Sequence, residues 1–213
     1  MSPAPEDPLP ADRFAEILAR RAPDFSVPLD EGVGSNLSAY LAELDRWRRA
    51  TNLTGQLSPV DLADHALEAL LGRPLISAGE RIVDIGSGAG FPGLPLAISL
   101  RGSDFVLVEP RGKRAAFLRH VVRTLGLPNT AVLEGRIEDV GGQTFDVAVT
   151  RAVGGFSAWI GDASFLRPGG RFLAWTTDPD AVGSELGSML ELSTRIPVPR
   201  SASRTIAVFV KSA

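Results

Sequence analysis

The spacing of apolar residues changes near residue 80 of the chain. Before this point, apolar residues recur three and four positions apart, as on one face of a helix. After it, apolar runs of three to five residues alternate with segments of helical spacing. Alternating strands and helices are typical of a parallel sheet covered on both faces. The pattern therefore predicts an α/β fold preceded by helices.

Three helices are predicted before residue 80, and each begins at a side chain that can accept hydrogen bonds from the first helical turn. The predicted caps are Asp12 for the first helix, Ser35 or Asn36 for the second and Ser58 for the third. The predicted helices end near Pro23, Ala50 and Gly72.

Seven strands and four helices are predicted after residue 80. The predicted strands are 81–85, 105–108, 131–133, 146–149, 171–175, 195–198 and 205–210, and the helices are 92–100, 111–125, 156–165 and 181–192. Pro168-Gly169-Gly170 is predicted to form a turn before the fifth strand. The short connection 199–204 predicts an antiparallel hairpin at the sheet edge. The expected architecture is thus a seven-stranded, mostly parallel sheet with this edge hairpin and an N-terminal helical appendage.

Composition limits the class of protein and its surroundings. The 213 residues are 44% hydrophobic and 22% charged, as in globular proteins, and no apolar run approaches the roughly 18 residues of a membrane span. The proline-rich start lacks the features of a secretory signal, so we expect a cytoplasmic protein. The absence of cysteine excludes thiolate metal sites, and two histidines are too few to suggest another metal site. We expect a disordered tail at 1–10, the appendage at 11–80 and the sheet domain at 81–213.

A glycine-rich turn after the first predicted strand is the strongest sign of a ligand site. Gly86, Gly88 and Gly90 would let a ligand lie against the backbone, although such a turn can also be an ordinary tight loop. Glu109 ends the next strand about twenty residues later, where α/β folds place an acid for ribose hydroxyls. Asp84 would repel a pyrophosphate but suits a cationic amino-acid group. These residues favour S-adenosylmethionine over a dinucleotide.

Four segments resemble one known family. They are VDIGSGAGFPGLPLAI at 83–98, EPRGKRAAFLRHVV at 109–122, GRIED at 135–139 and TRAV at 150–153. RWRRATNLTG at 46–55 resembles a further family segment. The chain is similar to the bacterial small-subunit ribosomal RNA guanine-N7 methyltransferases, also called RsmG or glucose-inhibited division protein B, over roughly residues 35–175.

The resemblance implies a class I, Rossmann-like methyltransferase fold, S-adenosylmethionine as the cofactor and ribosomal RNA or a ribosomal particle as the partner. It also implies roles for individual residues. Phe91 would line the cofactor pocket with Gly86, Glu109 would hold the ribose, and Ile137 and Glu138 would lie beside the adenine. Arg151, the expected catalytic residue, would lie between cofactor and target base; its alternative is an arginine on a surface loop.

The expected chemistry is simple because guanine N7 already presents a lone pair, so no catalytic base is required. Three alternatives stay open. The chain could be a relative that acts on another substrate, a cofactor-binding or assembly protein without activity, or, more distantly, a nicotinamide-linked dehydrogenase.

Charge gives conflicting indications about an RNA partner. The net charge of −3 argues mildly against nucleic-acid binding. Asp64 and Trp175 also stand where the family typically has Arg and Lys, which removes positive charge. Two basic clusters are candidates for phosphate contacts, with a solvated helix face as the alternative; they are Arg46, Arg48 and Arg49, and Arg111, Lys113 and Arg114.

Overall fold

A computed structural model describes residues 7–51, 53–55, 57–151 and 163–212, without the side chain of residue 50. Six α-helices lie in these ranges: α1 Ala11–Phe25, α2 Glu31–Ala50, α3 Pro59–Leu70, α4 Gly93–Ser99, α5 Gly112–Thr124 and α6 Pro179–Leu186. Seven strands accompany them: β1 Arg81–Ile85, β2 Asp104–Val108, β3 Thr130–Leu133, β4 Phe145–Arg151, β5 Leu166–Thr176, β6 Leu190–Pro197 and β7 Thr205–Lys211. None of these helices combines the length and the apolar composition that a membrane-spanning helix requires.

The seven strands form one sheet in the order β3-β2-β1-β4-β5-β7-β6. Strands β1 to β5 are parallel, whereas β7 runs antiparallel to both β5 and β6. The predicted sheet and edge hairpin are therefore confirmed. The strand order reverses between β1 and β4, and the crevice outside the carboxyl ends of such strands is where α/β folds bind ligands.

The N-terminal helices and one face of the sheet share a continuous core. A single cluster of buried residues includes Phe14 of α1, Leu37 of α2 and Leu62 of α3 together with Phe105 and Leu173 of the sheet. The apolar stripes that predicted these helices are the surfaces buried here. This packing fixes α2 and α3 beside the sheet.

The first two helices begin earlier than predicted, and their cap residues differ from those predicted. Asp12 lies inside the first turn of α1, and Pro10 occupies the cap position. Helix α2 is capped by Asp30, whose Oδ1 accepts a hydrogen bond from the Val33 N–H at 2.8 Å. The prediction missed this start because two glycines weaken the helical pattern there. The Ser58 cap of α3 is confirmed.

The C-terminal part differs from the prediction at two places. The segment Pro168-Gly169-Gly170 lies within β5 as an irregularity of the β4–β5 register, not in a turn before it. The helix predicted for 181–192 ends at Leu186, and Leu190 begins β6, because pairing with β7 outweighs local helical spacing. Of the helix predicted at 156–165, residues 156–162 lie outside the described ranges, and Ala163–Phe165 are not helical.

Candidate functional site

The loop between β1 and α4 lies at the point where the strand order reverses. Its three glycines have positive φ angles: 73° at Gly86, 57° at Gly88 and 104° at Gly90. Side chains disfavour this region, which explains glycine at each position. The N–H groups of Gly86 and Ser87 both donate to the Val108 carbonyl, at 2.9 and 3.0 Å. The loop is thereby fixed to the end of β2.

Gly93 at the start of α4 is a further requirement of this loop that the sequence reasoning missed. A Cβ atom there would lie 2.4 Å from Asp84 Oδ2 and 2.6 Å from a Leu107 methyl carbon. The Gly93 N–H instead donates to Asp84 Oδ2 at 3.1 Å. The F-P-G sequence after the third glycine was the available signal.

Asp84 is fully buried in β1 below the glycine loop. Its Oδ1 atom has no hydrogen-bond partner in the described part of the chain. Burial, with a smaller contribution from the nearby Glu109 charge, raises the pKa of Asp84 to about 7. A buried carboxylate oxygen without a donor suits a ligand that brings an N–H group or a positive charge.

Glu109 is held at the end of β2 with only 3% of its surface exposed. Its Oε2 accepts from the Gly88 N–H and its Oε1 from the Arg111 N–H, both at 2.9 Å. Two backbone donors therefore fix the orientation of the carboxylate beside the glycine loop. Each oxygen keeps a second lone pair that could accept a ligand hydroxyl.

Ile137 and Glu138 lie in a 3₁₀ turn, Ile137–Val140, that follows β3. Ile137 is buried in the same apolar cluster as Ile85 and Val108, the last residues of β1 and β2. Glu138 is exposed. Only Ile137 is thus part of the buried surface around the strand ends.

Arg151 ends β4, and its side chain is only 12% exposed. Its Nη2 lies 3.1 Å from Glu68 Oε2, and its guanidinium carbon lies 6.0 Å from the centre of the Phe91 ring. Burial lowers the pKa of Arg151 to about 10, so the side chain remains charged at neutral pH. This placement contradicts the alternative of an arginine on a surface loop.

The N-terminal helices supply the other neighbours of Phe91. The Tyr40 ring of α2 lies 5.6 Å from the Phe91 ring, and the His65 ring of α3 lies 5.7 Å from it in an edge contact. The Tyr40 hydroxyl also donates to the Ala89 carbonyl at 2.8 Å. Burial, reinforced by the positive charge of Arg151, lowers the pKa of His65 to about 3, so this ring is neutral.

Comparison with known proteins agrees with this geometry. The family model GidB, described as rRNA small subunit methyltransferase G, matches residues 34–181. The chain belongs to this family. Among its relatives is the ribosomal RNA small subunit methyltransferase G of Stenotrophomonas maltophilia (strain K279a), 39% identical over 173 residues and 79% of each chain. That of Myxococcus xanthus (strain DK1622) is 30% identical over 212 residues, or 93% of this chain and 98% of the relative.

Solved structures show the same fold at low sequence identity. A methyltransferase from Pyrococcus furiosus has a TM-score of 0.60 at 18% identity, covering 84% of this chain and 100% of that one. The ribosomal protein L11 methylase of Lactobacillus delbrueckii subsp. bulgaricus has a TM-score of 0.58 at 14% identity, covering 71% and 80%. The predicted class I methyltransferase fold is confirmed.

Asp64 and Trp175, the two residues that depart from the family pattern, both form contacts within the protein. Asp64 accepts hydrogen bonds from Arg21 Nε at 2.7 Å and Nη2 at 2.6 Å. Trp175 is 3% exposed, and its Nε1 donates to the Glu68 carbonyl at 3.0 Å. The residues that replace the family's basic side chains are therefore ion-paired or buried, which argues against the interpretation that they alter an exposed RNA-binding surface.

The first basic cluster is largely neutralised within α2. Asp45 is fully buried and pairs with both Arg48 and Arg49, while Arg46 pairs with Glu43 at 2.7 Å. These arginines stabilise the helix and its surroundings. Their availability for RNA phosphates is correspondingly reduced.

The second basic cluster lies at the start of α5. Arg111 and Lys113 are exposed, and neither they nor Arg114 forms an ion pair with any described residue. The cluster borders a depression of about 300 Å³ together with Thr51 and Leu53. Arg114 Nη1 lies 3.7 Å from the position a Gly88 Cβ would occupy, so the cluster adjoins the glycine loop.

Proposed function

We propose that the chain transfers the methyl group of S-adenosylmethionine to guanine N7 in small-subunit ribosomal RNA. The relatives carry the name of a small-subunit ribosomal RNA methyltransferase, and the family supports the same reaction class here. The observation that supports S-adenosylmethionine as the cofactor is the pair of buried carboxylates, Asp84 and Glu109, on either side of the glycine loop. Such a substrate would place the chain in the cytoplasm.

The residues around the strand ends fit this cofactor. Asp84 would accept a hydrogen bond from the cationic amino-acid part of S-adenosylmethionine, and Glu109 would accept hydrogen bonds from the ribose hydroxyls. Ile137 would lie against the adenine, beside the exposed Glu138. The backbone of the glycine loop would approach the ligand closely, with Phe91 lining the pocket. When bound, S-adenosylmethionine supplies an electrophilic methyl group on a positively charged sulfur.

The chain itself has to position the target base and exclude water. Guanine N7 needs no proton removed before it attacks, so positioning and desolvation can supply the catalysis. Arg151 and Phe91 form a charged and an aromatic surface at the end of β4, and the neutral His65 adds no further charge there. We therefore propose that Arg151 contacts the reactants and that no side chain acts as a base.

The direct test is methyl transfer to small ribosomal subunits from a strain that lacks the modification. We expect incorporation of the methyl group and recovery of N7-methylguanosine after digestion of the RNA to nucleosides. Tight cofactor binding without transfer would instead favour a relative that acts on another substrate. A different methylated nucleoside would contradict the N7 assignment alone.

Replacing Glu109 with alanine is expected to weaken S-adenosylmethionine binding by about 1–3 kcal/mol, because the ribose hydroxyls would lose a charged acceptor. Titration calorimetry measures this loss. Glu134→Ala is the matched control, since that exposed carboxylate lies just after β3 and, among the described residues, forms its ion pair with Arg119. Equal affinities for wild type and Glu109→Ala would remove Glu109 from the cofactor site.

Cofactor affinity is expected to rise with pH because the pKa of Asp84 is raised to about 7. Below pH 7 the carboxyl group is protonated in the free protein, and a cationic ligand must displace that proton; above pH 7 it is already ionised. Binding should therefore be about tenfold tighter at pH 8 than at pH 6. Asp84→Asn should bind more weakly and lose this dependence. The same pH slope in Asp84→Asn would assign the titration to another group.

The basic cluster at the start of α5 is expected to bind RNA phosphates. Neutralising Arg111 and Lys113 with glutamine should weaken RNA binding and flatten the slope of log affinity against log salt by about two, since about one counterion is released per contact. Arg114 is left intact because it adjoins the glycine loop. S-adenosylmethionine affinity should not change.

The control is the pair Arg101→Gln and Arg123→Gln, which removes two exposed charges elsewhere, Arg123 being at the other end of α5. An equal loss of RNA affinity in both double variants would indicate a general charge effect and would contradict the assignment to the start of α5.

A further inference from the structure

A single buried carboxylate connects three parts of the chain next to Phe91. Glu68 of α3 lies between two arginines, and its Oε1 accepts a hydrogen bond from Arg204 Nη1. Its Oε2 lies 3.1 Å from Arg151 Nη2. Because Arg204 belongs to the connection between β6 and β7, Glu68 links the N-terminal helices, the end of β4 and the C-terminal hairpin.

Glu68 is itself held rigidly. Its side chain is 6% exposed, and its backbone carbonyl accepts a hydrogen bond from the indole of Trp175. A buried carboxylate between two guanidinium groups is compensated only while both remain in place. Glu68 Oε2 accepts no hydrogen bond within the described residues, so its link to Arg151 is the ion pair, which attracts the guanidinium towards α3 at the end of β4.

Within the part of the chain that the structure describes, one nitrogen of the Arg151 guanidinium has no hydrogen-bond partner. Its Nη1 atom is buried and makes no hydrogen bond within the described residues, whereas Nη2 faces Glu68. Buried donors are nearly always satisfied in folded proteins, so a free one beside a ligand site indicates an acceptor that arrives with the ligand. Charge-assisted bonds to oxygen are the strongest that a guanidinium makes.

We propose that Glu68 is a positioning residue that holds Arg151 so that Nη1 donates to an oxygen atom of a bound reactant. The inference rests on the proposed function. Two reactant oxygens have the required chemistry: the carboxylate of S-adenosylmethionine and O6 of the target guanine. Guanine N7 is excluded as the acceptor, because a donor bound to its lone pair would block the attack on the methyl group.

A double-mutant cycle tests whether Glu68 acts through Arg151. Glu68→Gln and Arg151→Ala are each expected to lower kcat on small ribosomal subunits about 10–100-fold, the cost of a misplaced group. The double variant should have the same kcat as Arg151→Ala, because Glu68 can no longer act through an arginine that has been removed. Additive losses, or an unchanged kcat in Glu68→Gln, would overturn the proposal.

The chain offers a matched control for general destabilisation. Glu80, just before β1, also lies between two arginines, Arg167 and Arg171, and its side chain is 12% exposed. It is at the opposite end of the sheet from the site. Glu80→Gln should lower stability without changing kcat. An equal loss of kcat in Glu80→Gln would mean that Glu68 has only a structural role.

Calorimetry with S-adenosylmethionine alone distinguishes the two oxygen sources. Weaker binding in both Glu68→Gln and Arg151→Ala would assign the cofactor carboxylate as the acceptor. Unchanged binding with a reduced kcat would assign O6 of the base. Weaker binding in Glu68→Gln but not in Arg151→Ala would show that Glu68 does not act through Arg151.

A spectroscopic measurement keeps the inference separate from the proposed function. In protein labelled with ¹⁵N-arginine, the guanidinium signal absent from Arg151→Ala identifies Arg151. We expect it to be sharp and protected from exchange in wild type and broadened in Glu68→Gln. An unaltered signal would overturn the positioning role. Wild-type protein that transfers no methyl group would overturn the proposed function, whatever this signal shows.

Discussion

Gly86→Val is expected to abolish measurable S-adenosylmethionine binding while the chain still folds. Gly86 has a φ of 73°, which β-branched residues hardly ever adopt, and its N–H group bonds to the Val108 carbonyl at the end of β2. Valine would either displace the loop or fill the space where a ligand meets the backbone. We expect more than a 100-fold loss of affinity in calorimetry, with the circular dichroism of a folded α/β protein.

Gly79→Val is the control that distinguishes the effect of backbone strain on stability from the loss of the cofactor site. Gly79 has a similar φ of 82°, lies in the exposed segment before β1, and has open space where a Cβ atom would be placed. Its substitution should lower the free energy of unfolding by about 1–3 kcal/mol and leave cofactor affinity unchanged. If Gly86→Val bound the cofactor normally, the glycine turn would have only a structural role.

Trp175→Lys is expected to destabilise the protein by at least about 3–5 kcal/mol, the usual cost of removing a buried tryptophan. The indole is 3% exposed, donates to the Glu68 carbonyl and packs so closely on Gly72 that a Cβ atom there would lie 2.8 Å from the ring. Lysine would add the cost of burying a charge. Urea denaturation, or insoluble expression, would show the loss.

Trp175→Phe is the conservative control, because it keeps an aromatic ring while it removes the N–H donor and part of the ring volume. It should cost about 1 kcal/mol, or somewhat more through lost volume. A stable Trp175→Lys variant with stronger RNA binding would restore the interpretation that this position removes charge from an RNA-binding surface. The internal contacts of Trp175 argue against that result.

We infer that residues 11–80 and 81–213 work as one unit. Tyr40, His65 and Glu68 come from the N-terminal helices, yet they contact Ala89, Phe91 and Arg151 of the sheet domain. Removing the helices would expose the shared core and take away one side of the site. The appendage is therefore part of the proposed enzyme rather than a separate binding module.

The sequence by itself determined the parts that depend on neighbours along the chain. Short apolar runs predicted the strands because central parallel strands are buried on both faces. The glycines after β1 and Glu109 after β2 could be placed because parallel strands end at the same edge of a sheet. These local rules were sufficient for the number and order of the strands along the chain, the Ser58 cap and the carboxylates beside the glycine loop.

The tertiary structure decided what depends on contacts between distant segments. Helical spacing shows which face of α2 or α3 is buried, but not what covers it, so Tyr40 and Glu68 could not be told from ordinary core and surface residues. Leu190 forms part of a strand because it pairs with β7, although the local spacing of apolar residues predicted a helix there. Ion pairs within α2 also distinguish its neutralised arginines from Arg111 and Lys113, which form no ion pair with a described residue. In each case the deciding energy comes from partners far away in the sequence.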